Sequence, residues 1–137
     1  MDAVRIGLLG LGTVGAGTVN VLGRNGDEIA RRAGRAIAIT RAAARDLTKS
    51  RDCDTTGIAL SEDAMSVASA DDVDVVVELI GGTELAREAV LTAIDNGKHV
   101  VTANKALIAL HGNEVFERAH ANGVMVAFEA GVAGGIP

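Results

Sequence analysis

The sequence is poor in aromatic residues: Phe116 and Phe128 are its only two, and it has neither tryptophan nor tyrosine. Hydrophobic residues still make up 48% of the 137 positions. The core must therefore consist of valine, isoleucine, leucine and alanine side chains, which suit closely packed strands and helices. This length allows one compact domain and is short for two.

Three other features are missing. Cys53 is the only cysteine, which excludes an intramolecular disulfide and a thiolate metal cluster. The net charge of −5 comes from interspersed acids and bases, without the basic stripe of a nucleic-acid-binding surface. No apolar run is long enough to span a membrane, and no signal-peptide pattern is present. We therefore expect a cytoplasmic protein without nucleic-acid or membrane partners.

Short apolar runs alternate with helical patterns. Strands are predicted at Val4–Leu9, Ala36–Ala44, Val73–Ile80, His99–Thr102 and Val124–Phe128. Helices are predicted at Thr13–Leu22, Asp27–Ala33, Glu62–Ala68, Thr83 (as N-cap) to Ile94, Lys105–Ala109 and Asn113–Ala121, with Leu47–Leu60 irregular. The alternation implies crossover connections, so we expect a Rossmann-type, doubly wound α/β domain over residues 1–137. Its sheet should be mostly parallel, with helices on both faces.

A glycine-rich turn, Gly10-Leu-Gly-Thr-Val-Gly15, lies between the first predicted strand and helix. In this context it is typical of a dinucleotide-binding site. Gly10 permits the tight turn, Gly12 lets the backbone approach a pyrophosphate, and Gly15 allows close helix–strand packing. The amides of Thr13 and Val14, at the helix N-terminus, favour an anion. The alternative is a glycine turn that merely packs well.

The end of the second strand carries a second determinant. An acidic residue there binds the ribose hydroxyls of NAD, whereas an arginine pairs with the extra phosphate of NADP. Arg45 with Lys49 favours NADP as the cofactor, whereas Asp46 would suit NAD if it points inward. A solvated charged loop is the third interpretation. The spacing from Gly15 exceeds the usual ~20 residues.

Two further strand ends carry candidate residues. Glu78 ends the strongest predicted strand and either caps neighbouring backbone amides or contacts the cofactor. Gly81, Gly82 and Thr83 form the next turn from strand to helix. Because ligands bind at the carboxyl ends of strands in such sheets, this turn is predicted to line the dinucleotide cleft.

Three segments, Val76–Thr83, Gly97–Lys105 and Phe128–Pro137, together with the glycine turn, closely resemble the N-terminal part of homoserine dehydrogenase over essentially the whole chain. The resemblance implies reversible hydride transfer between L-homoserine and L-aspartate 4-semialdehyde with NAD(P), a step toward threonine, methionine and isoleucine. In that family a substrate-binding and dimerisation domain follows, and the whole enzyme is a homodimer or homotetramer. The chain also stops in a glycine-rich loop after its last strand. We therefore expect a piece of a longer protein that binds cofactor without turnover.

The resemblance also implies roles for particular residues. Thr102, Asn104 and Lys105 match a strand-end motif beside the cofactor, and Lys105 is the catalytic candidate. An ammonium group near a carbonyl oxygen would stabilise developing alkoxide charge. From the residues alone, a lysine merely solvated at a helix start is the alternative.

The last segment matches the family's monovalent-cation loop. By resemblance, a sodium ion is bound by carbonyl oxygens of four residues, Glu129, Val132, Gly134 and Ile136. Hard cations prefer such oxygen ligands. The residues alone would equally suit a flexible loop or a truncated end.

Two other functions remain open at this point. One is a related amino-acid or semialdehyde dehydrogenase, which the Glu129–Pro137 loop disfavours. The other is a non-catalytic NAD(P)-sensing module, which has no need for a cation beside the nicotinamide and is disfavoured by the Asn104-Lys105 motif.

Overall fold

The computed structural model describes residues 3–24, 28, 31, 34–47 and 55–128. The strands are β1 (Val4–Leu9), β2 (Ile37–Ala43), β3 (Ala59–Ser61), β4 (Val75–Glu78), β5 (His99–Thr102) and β6 (Val126–Phe128). The helices are α1 (Thr13–Arg24), α2 (Ala64–Ala68), α3 (Glu84–Asp95) and α4 (Lys105–Ala121). The predictions for Lys49, Cys53 and the segment from Glu129 to Pro137, and most of that for Asp27–Ala33, lie outside the described residues.

The six strands form one parallel sheet in the order β3-β2-β1-β4-β5-β6. The chain moves outward from β1 to β3, returns to the centre, and then moves outward in the other direction through β4, β5 and β6. This is the doubly wound Rossmann order, and the predicted fold class is confirmed. The order reverses between β1 and β4, which is where such sheets bind their ligands.

The carboxyl ends of all six strands are in register. One row of paired residues crosses the whole sheet, namely Ser61, Ala43, Leu9, Glu78, Thr102 and Phe128. Neighbouring strands in a sheet lie roughly 4.8 Å apart. The loops that follow these strands therefore leave side by side from a single edge.

The core is aliphatic, as the composition predicts. On one face of the sheet, Leu9, Val76 and Val100 pack with residues of α2, α3 and α4. On the other face, Leu8 and Ala42 pack with Val19 of α1 and with Leu11. Helices therefore cover both faces, because successive strand residues point to opposite sides.

Ion pairs secure the segment that leads into β4. The guanidinium and the backbone amide of Arg5 both donate to the carboxylate of Asp74, at 2.9–3.2 Å. The guanidinium of Arg41 donates to Asp72 at 2.6 Å. These hydrogen bonds hold the pKa values of both aspartates below their ordinary values.

Two secondary-structure predictions were wrong. The end of the Leu47–Leu60 segment, expected to be irregular, forms β3 with Ser61 at the sheet edge, where only three residues pair with β2. The helix expected to break after Ala109 is continuous as α4, because Gly112 is buried together with Leu107, Val115 and Ala119 of the same helix. Packing of this kind overrides the weak helix propensity of glycine.

Thr83 also departs from its prediction in one respect. It is the N-cap residue of α3, but its hydroxyl makes no capping hydrogen bond. A capping side chain requires an extended backbone, whereas Thr83 has φ −125° and ψ −39°.

Candidate functional site

The glycine turn combines one strained position, one tight packing contact and one open space. Gly10 has φ +107°, and its amide donates to the Ala43 carbonyl oxygen at 2.9 Å. A Cβ on Gly15 would collide with the Gly10 carbonyl oxygen, so α1 can begin this close to β1 only with glycine there. A Cβ on Gly12, by contrast, would meet nothing within 4 Å. Gly10 and Gly15 are thus required by the fold, whereas the backbone of Gly12 borders open space.

The open space beside Gly12 lies at the N-terminus of α1. The Gly12 carbonyl oxygen accepts a hydrogen bond from the Ala16 amide at 2.8 Å, so the preceding amides of Thr13 and Val14 lie in the first turn of α1. Amides of a first turn lack intrahelical acceptors and, with the helix dipole, attract anions. Gly12 itself is exposed. The chain therefore offers a cradle that is open where a pyrophosphate would bind.

Arg45 lies two residues beyond the end of β2, next to the glycine turn along the sheet edge. Its side chain is exposed, and the amide of the preceding Ala44 donates a hydrogen bond to the Ser61 carbonyl oxygen at 2.9 Å. The neighbouring Asp46 is also exposed, so both residues considered for the adenosine end are accessible.

On the other side of the turn, Glu78 ends β4 with no exposed surface. Its Oε2 accepts from the amides of Ile80 at 2.8 Å and Gly81 at 3.4 Å. Its Oε1 accepts from the Thr102 hydroxyl at 2.7 Å. A buried carboxylate without donors would be costly, and these donors satisfy it. Amide capping, one of the two interpretations of Glu78, is what the structure shows.

Thr102 connects Glu78 to the loop that follows β5. It too has no exposed surface, and its hydroxyl accepts from the Asn104 amide at 3.0 Å. The Asn104 side chain caps α4 by accepting from the Leu107 amide at 3.0 Å, and its Nδ2 donates to Gly82 O at 2.6 Å. The loops after β4 and β5 are thus tied together twice. We call Glu78, Thr102 and Asn104 the strand-end network.

Lys105 is the first residue of α4 and is exposed. Lys105 directly follows the N-cap Asn104. The strand-end network therefore fixes the position of the Lys105 backbone, from which the side chain with its ammonium group extends. Gly81 and Gly82, with φ +79° and +70°, are exposed on the adjacent loop, and Thr83 is half-buried.

Within the described residues, no group of three or more His, Cys, Asp or Glu side chains could hold a metal ion. The four predicted sodium ligands, Glu129, Val132, Gly134 and Ile136, lie outside the part of the chain that the structure describes, and so does Lys49. No helix of the described part is both long and apolar enough to cross a bilayer.

A family model described as homoserine dehydrogenase, NAD binding domain, matches residues 10–129. The chain belongs to this family. The homoserine dehydrogenase of Pseudomonas aeruginosa is 61% identical over 137 residues, which is all of this chain and 31% of that protein. The resemblance inferred from the four motifs is therefore confirmed.

Solved homoserine dehydrogenase structures share the fold. The enzyme from Thiobacillus denitrificans is 54% identical with a TM-score of 0.86, over 95% of this chain and 30% of that one. The enzyme from S. aureus is 38% identical with a TM-score of 0.86, over 95% and 33%. The chain spans about a third of the length of the relatives it matches.

Sequence reasoning named every loop of this site but missed the strand-end network. Its only signal in the sequence is a pair of polar residues, Glu78 and Thr102, that each end an apolar strand. Their contact depends on the register of β4 against β5, which pairs the two residues.

Proposed function

We propose that this chain binds NADP, with NAD as the weaker alternative, for the interconversion of L-homoserine and L-aspartate 4-semialdehyde. The observation that carries the proposal is the row of strand ends. The phosphate cradle, the Gly81–Gly82 turn and Lys105 follow β1, β4 and β5, three neighbouring strands that end in register. Membership of the family supports this reaction. The remainder of the site would come from the part of the relatives' length that this chain does not cover.

Each residue has a role in this proposal. The amides of Thr13 and Val14 bind the pyrophosphate, and Arg45, with Lys49, pairs with the 2′-phosphate. Gly81, Thr83 and Asn104 line the nicotinamide side of the cleft. The bound nicotinamide supplies the hydride chemistry. Lys105 holds positive charge beside the substrate oxygen, where it stabilises the alkoxide.

A sodium ion is part of the proposal through the family resemblance. Its support within the described chain is that β6 ends at Phe128, at the same sheet edge as the cofactor loops and directly before Glu129. Carbonyl oxygens from a glycine-rich loop suit such a hard cation. We also propose, from the family resemblance, a cytoplasmic enzyme that assembles as a homodimer or homotetramer, acting in the synthesis of threonine, methionine and isoleucine.

A chimera tests the reaction. The matching segment of the Pseudomonas aeruginosa relative is replaced by this chain, and L-homoserine oxidation is followed through the absorbance of NADPH. We expect activity from the chimera, a loss of at least about a hundredfold in kcat for Lys105→Ala, and partial activity for Lys105→Arg, which keeps the charge. A folded chimera that binds NADPH but does not oxidise homoserine would contradict the proposed substrate.

A further inference from the structure

We propose that Glu78 and Thr102 are positioning residues for the nicotinamide half of the cofactor, acting through Asn104 and the Gly81–Gly82 turn. The inference rests on the proposed function, because it assumes that a nicotinamide dinucleotide binds at this sheet edge. It assigns a task to two side chains that have no exposed surface and so cannot touch the ligand.

The hydrogen bonds of the network have a direction. The Asn104 amide donates to the Thr102 hydroxyl, and that hydroxyl donates to Glu78. From the other side, the amides of Ile80 and Gly81 donate to the same carboxylate. A carboxylate accepts on both oxygens and donates on neither, which is what a group between these donors requires. Two loops that are distant in sequence therefore converge on one buried acceptor.

The second tie crosses directly between the loops. Asn104 donates from Nδ2 to Gly82 O at 2.6 Å while its Oδ1 caps α4. Gly82 has φ +70° and Gly81 has φ +79°, and because glycine has access to many backbone conformations, the hydrogen bond to Gly82 O helps to fix this one. The first residue after the cap is Lys105. Any shift of Asn104 would therefore move both the turn and the start of α4.

The strand order indicates which half of the ligand this affects. The phosphate cradle follows β1, and Arg45, proposed for the 2′-phosphate, follows β2 on one side. The strand-end network follows β4 and β5 on the other side. A dinucleotide that crosses the switch point with its pyrophosphate on the cradle must place its nicotinamide half toward the network. The network should therefore affect that half and leave the adenosine half unchanged.

Titrations of the chain with two ligands test this assignment. One is NADPH, and the other is adenosine 2′,5′-bisphosphate, which is its adenosine half. For Thr102→Val we expect NADPH affinity to fall about tenfold or more, because the two loops lose the hydroxyl that holds them together and must then be ordered when the ligand binds. Affinity for the bisphosphate should remain within about twofold. Thr102→Ser retains the hydroxyl and should restore NADPH binding.

Two further variants keep the test decisive. Asn104→Ser preserves a good N-cap but cannot reach Gly82 O, so it should reproduce the selective loss even if Thr102→Val folds poorly. Thr92→Val, in α3, is the matched control: it also removes a hydroxyl hydrogen bond, in this case to Met65 Sδ of α2 at 3.5 Å, and it should change neither affinity. Equal losses for both ligands, or no loss for NADPH in Thr102→Val and Asn104→Ser, would overturn the assignment.

Hydrogen exchange of the ligand-free chain separates this inference from the proposed function. Thr102→Val should increase exchange at the amides of Ile80, Gly81 and Asn104, whereas Thr92→Val should not. If exchange at these amides does not change, the positioning role is wrong whatever the chain binds. If exchange changes but the unmodified chain binds no NADPH, the proposed cofactor is wrong and the positioning role fails with it.

Discussion

Glu78 and Thr102 pair across β4 and β5, and a 2.7 Å hydrogen bond joins their side chains where neither has any exposed surface. This polar contact lies between the aliphatic core and the loops that follow β4 and β5. The contact explains how the valine-rich strands β4 and β5 can end in buried polar residues, which a core does not ordinarily contain.

The first prediction concerns Glu78 as the hydrogen-bond acceptor of this contact. Glu78→Gln replaces one acceptor oxygen with an NH₂ group, so a donor must face either the Thr102 hydroxyl or the Ile80 amide. Leaving a buried donor unsatisfied costs about 1–3 kcal/mol, and the free energy of unfolding in urea should fall by that amount. Glu117→Gln, on the exposed side of α4, is the control and should leave the free energy unchanged. Equal stability of Glu78→Gln and the unmodified chain would show that the buried carboxylate is not required.

The second prediction separates two glycines of the cradle. Gly12→Ala has room for its methyl group, so the melting temperature should stay within a few degrees while NADPH binding weakens at least about tenfold. Gly15→Ala collides with the Gly10 backbone and should lower the melting temperature clearly. Thermal unfolding and NADPH titration of both variants provide the check. Unchanged NADPH binding in Gly12→Ala would mean that no phosphate lies against that backbone.

The third prediction concerns cofactor choice. Arg45→Ala should weaken NADPH binding at least about tenfold and NADH binding little, because only NADPH carries the 2′-phosphate. Arg118→Ala is the control, because it removes a positive charge that pairs with Asp95 on the surface of the helices. It should change the affinity for neither cofactor. Equal losses of both cofactors in Arg45→Ala would refute the assignment.

The fourth prediction concerns acid stability. The folded-state pKa values of Asp72 and Asp74 are lowered by Arg41 and Arg5, so the unfolded chain binds protons more readily. Stabilisation by these pairs is therefore complete above the ordinary value of 3.8 and is lost as the pH falls through the lower folded-state values. Urea unfolding between about pH 6 and about pH 3 should show a smaller decline in the Asp72→Asn/Asp74→Asn variant. The exposed neighbour Asp71→Asn should decline like the unmodified chain.

Much of the fold was predictable because its signals are local. Val4–Leu9 and His99–Thr102 have the predicted bounds, since each is a short apolar run that ends at a turn or polar residue. The doubly wound arrangement follows from the alternation of strands and helices together with the handedness of crossovers. The edge strand β3 gave no such signal, because three residues carry no recognisable periodicity.

The site was predictable in its loops and not in its connections. Each loop carries its own motif, such as the glycine turn or Asn104-Lys105. The strand-end network depends on the register of Glu78 against Thr102, which arises only when the sheet forms. The predicted capping hydrogen bond of Thr83 is absent for another reason that residue type does not reveal. Thr83 is a good capping residue, but its backbone lies outside the extended region.

The most direct test of the central claim is a pair of titrations of this chain, one with NADPH and one with NADH. We predict saturable binding of one molecule per chain, with higher affinity for NADPH. No saturable binding of either dinucleotide at concentrations up to the order of 1 mM, the upper end of the KM range typical of enzymes, would contradict the claim that this sheet edge is a nicotinamide-cofactor site.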